Sequence, residues 1–275
     1  MEAFMSAIAP EMAAQQAQTR WYPLQPSLWP EAGISTELGA YFHLREGATC
    51  SFKDKTLHFA PGSGAGFGAY NNLFNLGKWR DICGDIAPAL MLKGRGRFQV
   101  TVGWASPNRS WERLLCDVVE IDGVIHLPFE IEELHRNRAV LFFDLVALND
   151  GMIEDFGWES QQAPRQIPEL VVSITTFRRE EAVRTTVERF RRFFADQPLR
   201  DHIKLNVVDN GQSVDLAPGD DLRIIPNANL GGAGGFTRGL IEARDQGASH
   251  CLFMDDDASV HMESIIRTWL FLAYA

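Results

Sequence analysis

From residue 170 onward the chain alternates short apolar runs with longer stretches that are apolar along one side only. Leu170-Val171-Val172-Ser173-Ile174, Ile203-Lys204-Leu205-Asn206-Val207-Val208, Leu222-Arg223-Ile224-Ile225 and Cys251-Leu252-Phe253-Met254 are too short for helices and read as buried strands. The stretch 180–194 places Val183, Val187, Phe190 and Phe194 at spacings of four, three and four, which predicts an amphipathic helix. A second helix is expected over 237–244, after a glycine-rich turn. Strands alternating with helices call for a parallel sheet flanked by helices.

The pattern before residue 150 is different. Short apolar segments at 49–52, 56–59, 89–92, 98–104, 111–119 and 139–148 are separated by Gly, Pro, Asn and Asp, as in an antiparallel β domain. Phe98-Gln99-Val100-Thr101-Val102 alternates as a strand with one buried face does. Asp122-Gly123, between β-forming residues, predicts a hairpin turn. The expected fold is therefore a β-sandwich or jelly roll followed by an α/β domain. Its divisions are an N-terminal arm at 1–20, the β domain at 21–157, a linker at 158–168 containing Gln161, Gln162, Pro164 and Pro168, and the α/β domain at 169–275. Tyr70-Asn71-Asn72-Leu73-Phe74-Asn75 and Lys78-Trp79 hold the aromatic and amide groups of sugar-binding surfaces, but core aromatics and turn asparagines account for the same letters and are preferred.

Composition narrows the class. With 45% hydrophobic and 23% charged residues the chain is an ordinary globular sequence, and its formal net charge of −10 opposes nucleic-acid binding over the whole surface. Cys50, Cys83, Cys116 and Cys251 have no zinc-ligand spacing, so free thiols are expected. Residues 1–18 lack the basic and apolar regions of a secretory signal, which points to a cytoplasmic location. The apolar run Trp269-Leu270-Phe271-Leu272-Ala273-Tyr274-Ala275 is too short for a bilayer and reads as a buried helix end. A chain that stops there, just after its most informative motif, reads as truncated.

That motif is Asn229-Leu230-Gly231-Gly232-Ala233-Gly234-Gly235-Phe236-Thr237-Arg238, followed by the apolar run that ends in Asp255-Asp256-Asp257. Glycines opening a helix let backbone approach a phosphorylated ligand, and carboxylates at a strand end suit the divalent ion such a ligand carries. In a parallel sheet the strand ends Thr175/Thr176, Asp209, Asn229 and 255–257 share one rim. Asp209 can accept from a base or ribose donor, Asn229 can both donate and accept, and Arg179, or Arg178 beside it, can neutralise a phosphate. The glycines come after the third strand rather than the first, which argues against a dinucleotide fold, and the chain has no Gly-Lys-Ser/Thr for a Walker loop.

These runs, with 171–179 and Val207-Val208-Asp209-Asn210-Gly211, resemble the nucleotide-binding half of a GT-A, family-two glycosyltransferase, and within that group the galactofuranosyltransferases that build galactan. The β domain, through 70–79 and Gly96-Arg97-Phe98-Gln99-Val100, is similar to the jelly-roll domain of that subgroup. The resemblance implies that Thr175, Thr176, Arg179, Asp209 and Asn229 line a UDP site and that Asp255 and Asp257 belong to a motif binding Mn²⁺ or Mg²⁺. Asp256, between them, is expected to face the other way, because side chains alternate along a strand. It further implies metal-assisted inverting transfer of galactofuranose from UDP-galactofuranose to a glycan or lipid-linked glycan in cell-envelope polysaccharide synthesis, by a homo-oligomer at the inner face of the membrane. The catalytic base of such enzymes is expected beyond Ala275, and His261 lies too close behind Asp257 to take the place of the family's metal-binding histidine. Two alternatives are a non-catalytic nucleotide-sugar-binding or scaffolding fragment, and a transferase with another donor, such as a rhamnosyltransferase.

Overall fold

The computed structural model describes residues 20–107, 110–131 and 139–275; the N-terminal arm expected at 1–20 lies, but for Arg20, outside them. The chain divides into two compact units, one built from 20–165 with 263–275 and the other from 166–262. Among the described residues no helix is long and apolar enough to cross a membrane.

The first unit contains β1 (Tyr22–Pro26), β2 (His43–Leu44), β3 (Ala48–Ser51), β4 (Thr56–Phe59), β5 (Gly64–Gly66), α1 (Leu76–Cys83), β6 (Pro88–Ala105), β7 (Glu112–Pro128), β8 (Val140–Ala147) and β9 (Gly151–Ser160). Its sheet runs β2-β5-β8-β6-β9-β4-β3, with β1 on β9 and β7 on β6. The pairings are antiparallel throughout. It is a jelly-roll-like sandwich around a core that includes Phe67, Phe98, Phe143, Phe156 and Trp158.

Two expected strands, at 89–92 and 98–104, are one long strand. Its first half, to Arg95, pairs with β9 and its second half, from Phe98, with β8, so β6 changes partner midway along its length. Glycines permit the bend: a Cβ on Gly94 would lie 2.1 Å from the Met152 carbonyl oxygen, and Gly96 has φ +116°. The hairpin expected at Asp122-Gly123 is not formed. β7 continues through both residues, with Gly123 (φ +92°) opposite Gly94, because the pair follows the bend of β6 instead of reversing the chain.

Within 70–79 four residues have structural roles, while Tyr70 is 88% exposed. Phe74 and Trp79 are buried, the Asn75 side chain caps α1 by accepting from the Lys78 N–H at 3.0 Å, and Asn72 donates to the Leu28 and Tyr41 carbonyls. Strand β9 runs through Gly157 to Ser160, so the irregular stretch begins at residue 161.

The second unit holds β10 (Leu170–Thr176), α2 (Glu180–Phe194), β11 (Ile203–Asp209), β12 (Leu222–Pro226), α3 (Gly231–Asp245) and β13 (His250–Asp255). The sheet order is β12-β11-β10-β13, parallel throughout. Helix α4 (Met262–Tyr274) follows β13 in sequence, but from Glu263 onward it belongs to the β unit.

Helix α3 begins at Gly231, so the glycine turn expected before residue 237 is itself helical. The glycines divide by role. Gly231 takes φ +73°, and an added Cβ on Gly231 or Gly232 would meet nothing within 4 Å. A Cβ on Gly235 would come within 2.1 Å of Thr175, and one on Gly239 within 2.0 Å of the Ser173 hydroxyl. The first two form an open helix entry, whereas the other two let α3 lie flat on β10.

Candidate functional site

The chain leaves β10 toward β11 and β12 on one side, then returns through α3 to β13 on the other. In an open parallel sheet, the gap outside the carboxyl ends of two such strands is where ligands bind. Here those strands are β10 and β13, in register as Thr175 opposite Asp255, while Thr176 lies opposite Asp209 on β11. The ends of β10, β11 and β13 therefore share one rim, whereas Asn229 lies beyond the end of β12, at the entry to α3.

At that rim Thr176 is buried, and its hydroxyl donates to Asp256 Oδ2 at 2.8 Å. Arg179 precedes α2 and is exposed. Its Nη1 donates to Asp257 Oδ2 at 2.6 Å and to Asp256 Oδ1 at 3.4 Å. The hydrogen bond and charge of Arg179 hold the Asp257 carboxyl below the usual aspartate range, and the same contacts raise the pKa of Arg179. Arg178 takes the left-handed φ +55°, rare for a side chain of its size, and stacks its guanidinium 5.1 Å from the Phe177 ring. That turn lies between the end of β10 and the start of α2.

The expectation that Asp256 faces away from Asp257 is overturned. Strand β13 stops at Asp255, so alternation no longer governs the two residues of the following turn, and both reach Arg179. Asp255 is exposed, with no side-chain hydrogen bond among the described residues.

Asp209 is 2% exposed, and its carboxylate accepts from the backbone N–H groups of Gly211, Ser213 and Val214 at 2.7–2.9 Å. With three backbone donors on its two oxygens, Asp209 shapes the loop after β11 and keeps little free acceptor capacity. Asn229 is exposed, and its Oδ1 accepts from the Gly231 N–H at 3.1 Å, steadying the entry to α3. Leu230, just before α3, gives no side-chain cap, so beyond the Gly231 N–H held by Asn229 the N–H groups of Gly232 and Ala233 remain available to an acceptor. Thr175 packs against Gly235, and its hydroxyl is buried without a hydrogen-bond partner among the described residues.

Two residues assigned no role from sequence tie the rim together. Asn227 Nδ2 donates to Asn210 Oδ1 at 2.8 Å, and Asn210 Nδ2 to the Gly231 carbonyl at 3.3 Å. This amide chain joins the ends of β11 and β12 to the start of α3. Their positions after strand ends were visible in sequence, but asparagine there is equally a routine turn residue.

Among the described residues the three carboxylates of the acidic turn do not converge on one point as a ready-made metal cluster. The turn offers hard carboxylate oxygens within three consecutive residues, and a guanidinium already bridges two of them.

No protein-family model matches the chain. In overall structure it compares with a point mutant of a family 29 carbohydrate-binding module at 10% identity and TM-score 0.30, over 51% of this chain and 90% of the other. A carbohydrate-binding module of the β-sandwich superfamily compares at 12% identity and TM-score 0.25, over 47% of this chain and 62% of the other. In sequence the chain is 26% identical over 228 residues to galactofuranosyltransferase GlfT2 of Mycolicibacterium smegmatis, and 25% identical over 232 residues to GlfT2 of Mycobacterium tuberculosis. Each match covers 77% of this chain and 35% of the relative, so the chain spans about a third of their length. The matched span is too long to fit within either unit alone, and the chain is thus distantly similar to galactofuranosyltransferase GlfT2 across both.

Proposed function

We propose that this chain is the donor-binding portion of a glycosyltransferase that takes UDP-galactofuranose and delivers the sugar to a glycan acceptor. The observation that carries the reading is the meeting of Thr176, Arg179, Asp256 and Asp257 at the switch between β10 and β13, in a chain whose sequence is similar to GlfT2.

In this reading Asn229 and Asp209 flank the uridine, Asp209 chiefly by holding the loop 210–214 in place. Thr175 and Thr176 form the floor, and the Gly232 and Ala233 N–H groups at the start of α3 face the diphosphate. Arg179 supplies positive charge toward the phosphates. Asp255 and Asp257 would hold Mn²⁺ or Mg²⁺, which when bound neutralises charge on the UDP leaving group. Asp256, fixed by the Thr176 hydroxyl, keeps the turn in shape. No residue of this chain is assigned as the base that deprotonates the acceptor. The acceptor is proposed to be a lipid-linked glycan, met at the inner membrane face by a homo-oligomer.

Calorimetric titration of UDP with and without Mn²⁺ tests the site. Binding should be at least about tenfold tighter with the metal, and Asp255→Ala together with Asp257→Ala should remove that difference. UDP binding that ignores both metal and substitutions would defeat the assignment. Competition by UDP-galactofuranose against other UDP-sugars then tests the donor.

A further inference from the structure

Arg179 and the proposed divalent ion call on the same oxygen. The guanidinium Nη1 lies 2.6 Å from Asp257 Oδ2 and 3.4 Å from Asp256 Oδ1, so one cationic group spans both carboxylates of the turn. An ion coordinated by Asp257 must share or displace that contact. Arg179 is about half exposed and gives α2 no side-chain cap, so neither packing nor a helix end fixes it in place.

We propose that Arg179 is an exchangeable counter-ion: the guanidinium closes the acidic turn, the divalent ion displaces it from Asp257, and the displaced guanidinium pairs with the donor diphosphate. The inference rests on the donor-site reading above and adds a coupling to it. Because a diphosphate competes with Asp257 for Arg179, nucleotide binding vacates a ligand oxygen for the metal. By linkage, metal binding raises nucleotide affinity by the same factor. This contribution is separate from direct contact between ion and phosphate, and only the part carried by Arg179 disappears when Arg179 is replaced. Thr176 keeps its hydrogen bond to Asp256 Oδ2 throughout, so the turn stays formed while Asp257 changes partner.

The test is Mn²⁺ binding followed by electron paramagnetic resonance in the wild-type chain, Arg179→Ala, Arg179→Lys and Asp257→Ala, each with and without UDP. Loss of an exposed ion pair corresponds to a change of up to about fivefold in affinity, so Arg179→Ala should bind Mn²⁺ alone about two- to fivefold more tightly than wild type. UDP should improve Mn²⁺ binding less in Arg179→Ala than in wild type, and Arg179→Lys should fall between them. Unchanged or weaker Mn²⁺ binding by Arg179→Ala would overturn the exchange. Wild-type Mn²⁺ affinity in Asp257→Ala would instead remove the donor-site reading, and the exchange with it. Both side chains are exposed, so circular dichroism should show each variant folded.

Discussion

Cys50, Cys83, Cys116 and Cys251 all carry free thiols, yet their surroundings separate them. Burial raises Cys83 and Cys251 and pushes Cys50 up to about 11. Cys116 stands exposed on β7, where hydrogen bonds from the Thr101 hydroxyl and the Gln99 amide lower its pKa. Thiolate is the reactive form, so iodoacetamide should modify Cys116 first, and peptide mass spectrometry would show the order. Earlier labelling of Cys50 or Cys251 would contradict this account. A second single-residue effect concerns Asp257. Its folded pKa is depressed by Arg179, so the pair contributes above the ordinary aspartate pKa and is lost as pH falls through the depressed value. Carboxyl titration by NMR should find its midpoint below that of an ordinary aspartate and moved upward in Arg179→Ala.

Among the secondary-structure elements, the glycines of α3 and of the β6–β7 bend have roles that composition alone does not reveal. Gly235, Gly239 and Ala243 recur every four residues and are the buried residues of α3, forming the smooth stripe by which it lies on the sheet. Gly239→Ala would force a methyl group into Ser173 and should destabilise the α/β unit by about 1–3 kcal/mol, while Gly232→Ala, which meets nothing, should be neutral or slightly stabilising. Chemical denaturation of the two variants separates the packing glycines from the open ones. Equal effects would mean that the cluster is uniform. The glycine motif thus splits into one part that faces outward and one that holds the helix down.

On the scale of the whole molecule, the last helix, from Glu263 onward, returns to the β unit of residues 20–165. Arg267 on α4 donates to the carbonyls of Pro26 and Asn71 and to the Asn72 side chain, and burial lowers its pKa to about 10. Trp79 packs edge-on against Phe271 and Tyr274 at 5.1 and 5.7 Å, and the Tyr274 hydroxyl donates to the Gln162 carbonyl. Arg267→Leu would leave those carbonyls unpaired and should cost the β unit about 2–4 kcal/mol, read as a lower denaturation midpoint. A stability within error of wild type would show that the helix is not integral to the unit.

Strands and helices with a self-evident apolar period could be read directly from the order of residues. Helix α2 spans 180–194 as its spacing requires, and β10 to β13 fall on the four apolar runs; β10, β11 and β13 end at Thr176, Asp209 and Asp255, while β12 ends at Pro226, ahead of Asn229. Local periodicity suffices for these because burial of one face or stripe selects the element. Partner and direction, by contrast, emerged only from the folded chain. Asp122-Gly123 continues a strand because β6 bends beside it, and Asp256 turns toward Arg179 because β13 ends one residue earlier. Residues 263–275 join the β unit because its aromatic groups and carbonyls receive them. Periodicity records which side of a segment is apolar. It does not record which distant surface that side meets.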